Sequence, residues 1–171
     1  MTQAVDLPKA DSPTLALVHP TEEEKVYQFK LNADEFRGAL TVEKYLLRED
    51  HLAKQELTRD GGITYWFLVD TAAKQNPLDP SSSIRLPLAS CETYRKKALV
   101  WKDGKVIETV SHAVGSVFCA QELRRRGYAA RMMREVANVL RTWQTAKDEP
   151  SLFSVLFSDI GKVRIGSRLY G

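Results

Sequence analysis

Three consecutive arginines followed by a glycine form the segment whose residue types and spacing are best suited to chemistry. The pattern is Arg124-x-x-Gly127-x-Ala129, which follows an apolar stretch and opens a segment of helical periodicity. Glycine accepts unusual backbone angles and lets another group approach closely. The first amides of a helix lack partners within the helix and attract an anion, and arginines add charge-assisted donors. The segment therefore predicts a binding site for a pyrophosphate group.

A second interpretation of the same residues stays open, namely a solvated helix start with a glycine in its turn. The preceding strand and the following amphipathic helix favour the binding site. Two other phosphate-binding loops are excluded by their signatures. A P-loop needs Gly-Lys-Ser/Thr after its first glycine, and a dinucleotide fold needs G-x-G-x-x-G early in a βαβ unit. The sequence contains neither pattern at this point.

Length and composition are those of an ordinary globular domain. The chain has 171 residues, of which 43% are hydrophobic and 27% charged, enough for one domain with a core. A formal net charge of +3 argues against a nucleic-acid partner, which normally requires a clustered basic face. No apolar run approaches the ~20 residues of a membrane helix, and no signal peptide is seen. We expect no membrane partner and, by default, a cytoplasmic protein.

The two cysteines, Cys91 and Cys119, are isolated from each other and form no CxxC pair. A zinc site would need more soft ligands close by. The sequence therefore predicts no metal site and two reduced core cysteines, although a single disulfide stays open.

The remaining elements are predicted from periodicity and from turn and capping residues. Thr21 and Glu24 match a capping box, Thr41 could cap a second helix, and Asp103-Gly104 is a hairpin signal. The order is β-α-α-β-β-β-α-β, a mixed α/β domain over residues 13–171 preceded by a flexible N-terminus at residues 1–12. We predict five strands, β1 to β5 in chain order, at 14–18, 63–69, 86–94, 106–119 and 152–157. We predict helices at 22–36, at 41–55 and from about 122 to the Asp148-Glu-Pro150 stop.

The motif and the element order together resemble a known family. R/Q-x-x-G-x-G/A after a strand is similar to motif A of the GNAT superfamily of acetyl-CoA-dependent N-acetyltransferases, over about residues 13 to 162. More narrowly, the chain resembles the fungal lysine N-acetyltransferases of lysine catabolism. Three segments carry that narrower resemblance, namely Leu57–Trp66, Ala89–Arg95 and Leu156–Lys162.

The resemblance implies acetyl-CoA as co-substrate and assigns its contacts. Strands β4 and β5 would part where the coenzyme enters, exposing backbone donors near the thioester, one of which can stabilise an oxyanion. The backbone of β4 would contact the pantetheine arm, and the amides and side chains of the motif would hold the pyrophosphate. The implied coenzyme-binding residues are Val117, Phe118, Cys119, Arg124, Arg125, Arg126, Gly127, Tyr128, Ala129 and Ala130.

The resemblance also implies direct attack of an amine on the thioester, which requires a base. A lysine amine has an ordinary pKa of about 10.4, so it is mostly protonated at neutral pH. His112 occupies the β4 position that often carries the base in this family, and Glu92 on β3 is the second candidate. The alternative for His112 is a residue that points into the sheet interior, and the alternative for Glu92 is a surface carboxylate paired with Arg95.

The sequence departs from the family after Lys162. The family continues with a short helix that carries a Phe-Tyr pair, whose tyrosine can protonate the leaving thiolate, and then with two further strands. Here the chain continues as Val163–Gly171 without that pair, so we predict a GNAT-like fold lacking its last strands. An open sheet edge would lower stability or be covered in a homodimer.

Three functions are compatible with these observations. The leading one is transfer of acetyl from acetyl-CoA to a small-molecule amine, the side-chain amine of free lysine. The second is acetylation of protein lysines or N-termini. The third is a catalytically inactive fragment that binds CoA or a partner.

Overall fold

One mixed sheet of five strands organises the protein. The computed structural model describes residues 7–146 and 151–156. The strand order is β1-β2-β3-β4-β5. The strands are β1 Leu15–Val18, β2 Ile63–Asp70, β3 Ala89–Lys102, β4 Lys105–Phe118 and β5 Ser154–Leu156, and the helices are α1 Glu22–Phe36, α2 Val42–Ala53 and α3 Tyr128–Val139.

The direction of pairing changes at the last strand. β1 to β4 pair antiparallel, whereas β5 runs parallel to β4, with His112 opposite Ser154 and Val114 opposite Leu156. A parallel pair needs a long crossover, and α3 with the turns after it provides one. The predicted element order and mixed α/β class are therefore confirmed. Residue 157 of the predicted last strand and the departure at Val163–Gly171 lie outside the described residues.

The first two helices begin where their capping residues predict. Thr21 and Glu24 form the expected capping box, with Glu24 N donating to Thr21 Oγ1 at 3.2 Å and Thr21 N donating to Glu24 Oε2 at 2.8 Å. Thr41 Oγ1 accepts from Lys44 N at 3.3 Å and caps α2. Local side-chain hydrogen bonds thus determine both helix starts.

The β3–β4 hairpin is longer than predicted. β3 was expected to end at Tyr94, but it continues to Lys102. The turn explains the difference: Asp103 and Gly104 have φ angles of 51° and 74°, as in a type I′ turn. Because this two-residue turn matches the twist of the strands, pairing continues up to Lys102 opposite Lys105.

α3 ends earlier than the stop at Asp148-Glu-Pro150 predicts. Its last residue is Val139, and Gln144 has a φ of 56°. Trp143, predicted to lie on the helix, instead packs edge-on against Trp66 with ring centroids 5.2 Å apart, and its Nε1 donates to Thr64 Oγ1 at 3.3 Å. Tertiary packing of the tryptophan outweighs the helical periodicity.

Two apolar clusters cover the two faces of the sheet. The larger lies under α3, where Met132 and Val136 are fully buried against Leu68 and Trp66. The smaller lies under α1 and α2 and contains Phe29, Ala33 and Tyr45, with Tyr65 packed against it. Side chains that alternate along one strand therefore enter different environments.

A buried carboxylate joins α1 to the loop before β3. Glu24 is 4% exposed, and Arg85 donates to both of its oxygens, Nε to Oε1 at 2.6 Å and Nη2 to Oε2 at 2.8 Å. The hydrogen bonds from Arg85 hold the pKa of Glu24 below its ordinary value, in spite of its burial. Paired charges of this kind are costly to break from one side.

Replacing Arg85 by Met should lower the free energy of unfolding at pH 7 by about 1–2 kcal/mol, the lower part of the range for a charged hydrogen bond because Arg85 is partly exposed. Because the pKa of Glu24 is lower in the folded than in the unfolded protein, this stabilisation is fully present above the pKa of the unfolded state. It is lost as the pH falls through the pKa of the folded state. Urea unfolding from pH 7 to pH 3 measures the difference. The control Arg59→Met removes an exposed pair with Asp60, so a loss of equal size there would contradict the prediction.

Candidate active site

The arginine-glycine segment forms the turn that opens α3. Gly127 has a φ of 85° and precedes the first helical residue, Tyr128. The first intrahelical bond is Arg131 N to Gly127 O at 3.0 Å, so the amides of Tyr128, Ala129 and Ala130 lie before it. No side chain caps this helix start. The amides are therefore available to an anion.

Two of the three arginines lie at this turn without a recorded ion pair. Arg125 has a φ of 64°, and both Arg125 and Arg126 are exposed. In residues 7–146 and 151–156 neither makes a salt bridge, whereas Arg124 pairs with Glu35 and its Nε donates to Cys119 O at 2.9 Å. Arg124 thus ties the turn to α1 and to the end of β4, and the two arginines after it supply positive charge.

The N-terminal segment lies against the same turn. Tyr128 Oη donates to Pro8 O, Arg131 Nη1 donates to Ala10 O at 3.3 Å, and a Cβ placed on Gly127 would lie 3.1 Å from Ala10 Cβ. Two backbone carbonyls of residues 7–12 thus accept hydrogen bonds from α3, and the flexibility predicted for residues 1–12 stays a prediction. Residues 1–6 lie outside the described part.

β4 contains a bulge at the position where the predicted pantetheine contacts begin. Between the pairs Ser90–Phe118 and Glu92–Gly115, β3 has one residue and β4 has two, Ser116 and Val117. Ser116 has a φ of 50°, an unfavourable angle for a residue other than glycine. Such strain is often found at functional sites.

The three predicted pantetheine contacts begin within this bulge, at Val117, and continue to Cys119. Val117 is half-buried, and Phe118 is buried edge-on against Phe36 with centroids 6.2 Å apart. Cys119 Sγ donates to Leu88 O at 3.3 Å, and burial raises the pKa of its thiol. The recorded pairing of β4 with β5 ends at Val114, so the parting of the strands expected beyond it stays a prediction.

Glu92 faces a small cavity between the sheet and the first two helices. It is 6% exposed. Tyr94 Oη donates to its Oε1 at 2.6 Å and Ser116 Oγ donates to the same oxygen at 2.5 Å. Burial raises the pKa of Glu92, and the two hydrogen bonds oppose that rise in part. The alternative interpretation, in which Glu92 is a surface carboxylate paired with Arg95, therefore does not hold.

Further groups around this cavity are polar or aromatic. Tyr45 Oη donates to Asn32 Oδ1 at 3.0 Å, and the Phe29 ring packs edge-on against Tyr65 with centroids 5.8 Å apart. Glu49 is a second carboxylate at the cavity and pairs with Arg48. Carboxylates and aromatic rings suit a cationic amine.

His112 lies on the other face of the sheet. It pairs with Arg95 and Glu92 pairs with Gly115, and residues opposite each other on antiparallel strands share a face. His112 and Gly115 are three positions apart on β4, an odd number, so their side-chain positions lie on opposite faces of the sheet. The two candidate bases therefore point in opposite directions. His112 is fully buried, its Nε2 lies 3.4 Å from Gln144 Oε1, and burial lowers its pKa.

Sequence reasoning did not identify Tyr94 or Ser116. The Glu-x-Tyr spacing within one strand could have indicated that Glu92 and Tyr94 share a face. Ser116 carries no such signal, since the bulge shifts the alternation of β4. Burial also raises the pKa of the Cys91 thiol, to about 12, as expected for a core cysteine.

Two features are absent from the part of the chain that the structure describes, a cluster of metal ligands and a membrane-spanning helix. Across residues 7–146 and 151–156, no group of three or more His, Cys, Asp or Glu side chains is arranged to hold a metal ion. Among the same residues, no helix has the length and apolarity needed to cross a membrane.

Comparison with known sequences gives one informative relative. No family model matches the chain. A lysine acetyltransferase from Yarrowia lipolytica is 36% identical over 74 residues, which make up 43% of this chain and 19% of that protein. The match thus spans about a fifth of the relative's length, and it agrees with the sequence resemblance.

Solved structures of similar architecture match a much larger share of the chain. A Trypanosoma brucei acetyltransferase has a TM-score of 0.52 at 12% identity, covering 85% of this chain and 84% of that one. Glucosamine-6-phosphate N-acetyltransferase from Arabidopsis thaliana has a TM-score of 0.53 at 9% identity, and the match covers 86% of this chain and 84% of that one. A Bacillus halodurans transcriptional regulator has a TM-score of 0.55 at 11% identity, and the match covers 85% of this chain and 83% of that one. Identities this low speak to the fold alone, and the chain has the GNAT fold that its motif and element order predict.

Proposed function

We propose that the chain is an acetyl-CoA-dependent N-acetyltransferase whose acceptor is a primary amine, the side-chain amine of free lysine. The observation that carries the proposal is the uncapped start of α3 in a GNAT-like fold. Among the described residues, the amides of Tyr128, Ala129 and Ala130 have no partner within the helix, and the exposed Arg125 and Arg126 beside them form no salt bridge. The name of the Yarrowia relative supports lysine as acceptor. Acetylation of protein amines and an inactive CoA-binding fragment are the alternatives.

The residues at the helix start fit a diphosphate. Amides at a helix N-terminus combine hydrogen-bond donors with the positive end of the helix dipole. Arg125 and Arg126 would add charge-assisted bonds, and Val117 to Cys119 would contact the pantetheine arm. Acetyl-CoA, when bound, supplies the acetyl group as a reactive thioester.

Glu92 is the base that the geometry favours. It lines the cavity together with Ser116, which directly precedes the expected pantetheine contacts. A carboxylate whose pKa is raised by burial is a better proton acceptor for an ammonium ion. His112 remains the second candidate, but it faces the α3 side and has no exposed surface. Proton removal by Glu92 would leave a neutral amine beside the β4 bulge.

The carboxylate of Glu92 would attract an ammonium group before that proton is removed. The neighbouring groups already have cationic partners: Glu49 pairs with Arg48, which also lies 4.8 Å from the Tyr45 ring centroid, and Lys25 Nζ lies 5.2 Å from that of Tyr65. A homodimer through the open sheet edge stays a prediction.

Replacing Arg125 and Arg126 together by Gln should weaken CoA binding by about tenfold or more, because each lost charge-assisted bond corresponds to roughly a factor of ten. Calorimetry with CoA measures the change. Pantetheine, which lacks the diphosphate, should bind both proteins equally. Arg134→Gln, at an exposed arginine further along α3, is the control and should bind CoA like the parent. Absence of CoA affinity in the parent chain would refute the proposal.

Glu92→Gln should lower turnover by about 10²–10⁴-fold, the usual contribution of a general base, while CoA affinity is kept. In the parent, activity should rise with pH through the elevated pKa of Glu92, and this acid limb should vanish in the variant. A thiol-release assay over free amines and lysine peptides measures both rate and acceptor. If His112→Asn removes the limb and Glu92→Gln does not, His112 is the base; CoA binding without turnover of any amine would indicate the inactive fragment.

A further inference from the structure

The two hydroxyl groups that share one oxygen of Glu92 have no role in the function proposed so far. Tyr94 Oη and Ser116 Oγ both donate to Oε1. Among the described residues, no hydrogen bond to Oε2 is recorded, although Glu92 lines the cavity. A carboxylate held through one oxygen keeps the other for a ligand.

We propose that Tyr94 and Ser116 are positioning residues, which hold Oε1 of Glu92 between their hydroxyls so that Oε2 faces the cavity to accept the proton of the acceptor amine. This inference rests on the proposed function. It assigns to both residues a task beyond packing, since each acts on the reaction through Glu92.

The backbone of β4 is arranged for this contact. Ser116 is the strained residue of the bulge, with a φ of 50°. In regular alternation its side chain would face away from Glu92, because its neighbour Gly115 is the residue paired with Glu92. The bulge therefore brings the hydroxyl to the carboxylate. The backbone strain accompanies a contact that an unbulged strand would not make.

Gly115 makes room for the other hydroxyl. A Cβ placed there would lie 3.3 Å from Cε2 of Tyr94 and 3.8 Å from Oε1 of Glu92. The first distance is tight, so the Tyr94 ring would have to move by a few tenths of an ångström, whereas the second is an ordinary van der Waals contact. The absence of a side chain at Gly115 thus leaves the ring undisplaced where its hydroxyl reaches Glu92.

The remaining charged and titratable groups around Glu92 come from α1, α2, β2 and β3 itself. Glu49 raises the pKa of Glu92 and Arg48 lowers it, both less than its burial and its two hydrogen bonds do. None of these groups donates a hydrogen bond to Glu92 in the described part of the chain. They are Lys25, Tyr45, Arg48, Glu49, Tyr65 and Cys91, and they are unchanged in the variants below.

The test removes each hydroxyl with as little other change as possible. Tyr94→Phe keeps the ring over Gly115. Ser116→Gly removes the hydroxyl and also relieves the positive φ. Two readouts are needed: the pH profile of kcat/KM, and the titration of the Glu92 carboxyl, followed by ¹³C NMR and assigned with the Glu92→Gln variant.

Each variant should move the Glu92 titration and the acid limb of the profile to higher pH, because a lost donor disfavours the carboxylate. kcat/KM at pH 7 should fall by roughly tenfold, the factor for one hydrogen bond to a charged group, and recover at high pH. Asp103→Gly, which relieves a φ of 51° in the distant hairpin turn, is the matched control and should move neither readout.

If Tyr94 and Ser116 had a purely structural role, their variants would lose activity equally at every pH and the titration of Glu92 would not change. Either result overturns the inference. If the parent chain acetylates an amine but the variants leave the Glu92 titration unchanged, the positioning role alone is overturned. A chain that acetylates no amine overturns the proposed function and, with it, this role for the two hydroxyls.

Discussion

One additional residue in β4 determines the geometry of the whole site. Two residues of β4 face one residue of β3 between the pairs Ser90–Phe118 and Glu92–Gly115, so the ladder cannot stay regular. Ser116 takes up the irregularity with a φ of 50°. Its hydroxyl then reaches Glu92, and β4 ends two residues later at Phe118, before the turn that opens α3. Both halves of the proposed site meet at this bulge.

The sheet separates the two candidate bases, which lie on neighbouring strands. Glu92 faces the polar cavity under α1 and α2, while His112 is enclosed on the α3 side next to Gln144. Burial acts on both and shifts their pKa values in opposite directions, raising that of the acid and lowering that of the imidazole. In each case the neutral form is favoured, since burial disfavours charge. Of the two, the carboxyl is the one that lines a cavity.

Local signals were sufficient to predict most of the elements. The capping pairs at Thr21 and Thr41 and the Asp103-Gly104 turn depend on neighbouring residues, and each was found where its pattern indicated. The end of α3 could not be obtained this way, because Trp143 packs against Trp66, which is distant in sequence.

The site was only partly predictable for the same reason. The turn at Gly127 follows from glycine and the residues around it, although α3 begins at Tyr128 and not at about residue 122 as its periodicity predicts. The contact of Ser116 with Glu92 depends on the register between two strands, including a bulge, and a pattern of alternation gives no warning of that. The opposite orientation of His112 likewise follows from pairing with Arg95, not from its place in the chain.

The residues from Leu7 to Ala10 have a practical consequence. Pro8 and Ala10 accept hydrogen bonds from Tyr128 and Arg131, and Ala10 lies beside Gly127. A fusion partner or affinity tag joined upstream of Leu7 would therefore emerge next to the arginine turn, where its own charges and bulk would compete with whatever binds there. A purification handle is better separated from this point by a cleavable spacer.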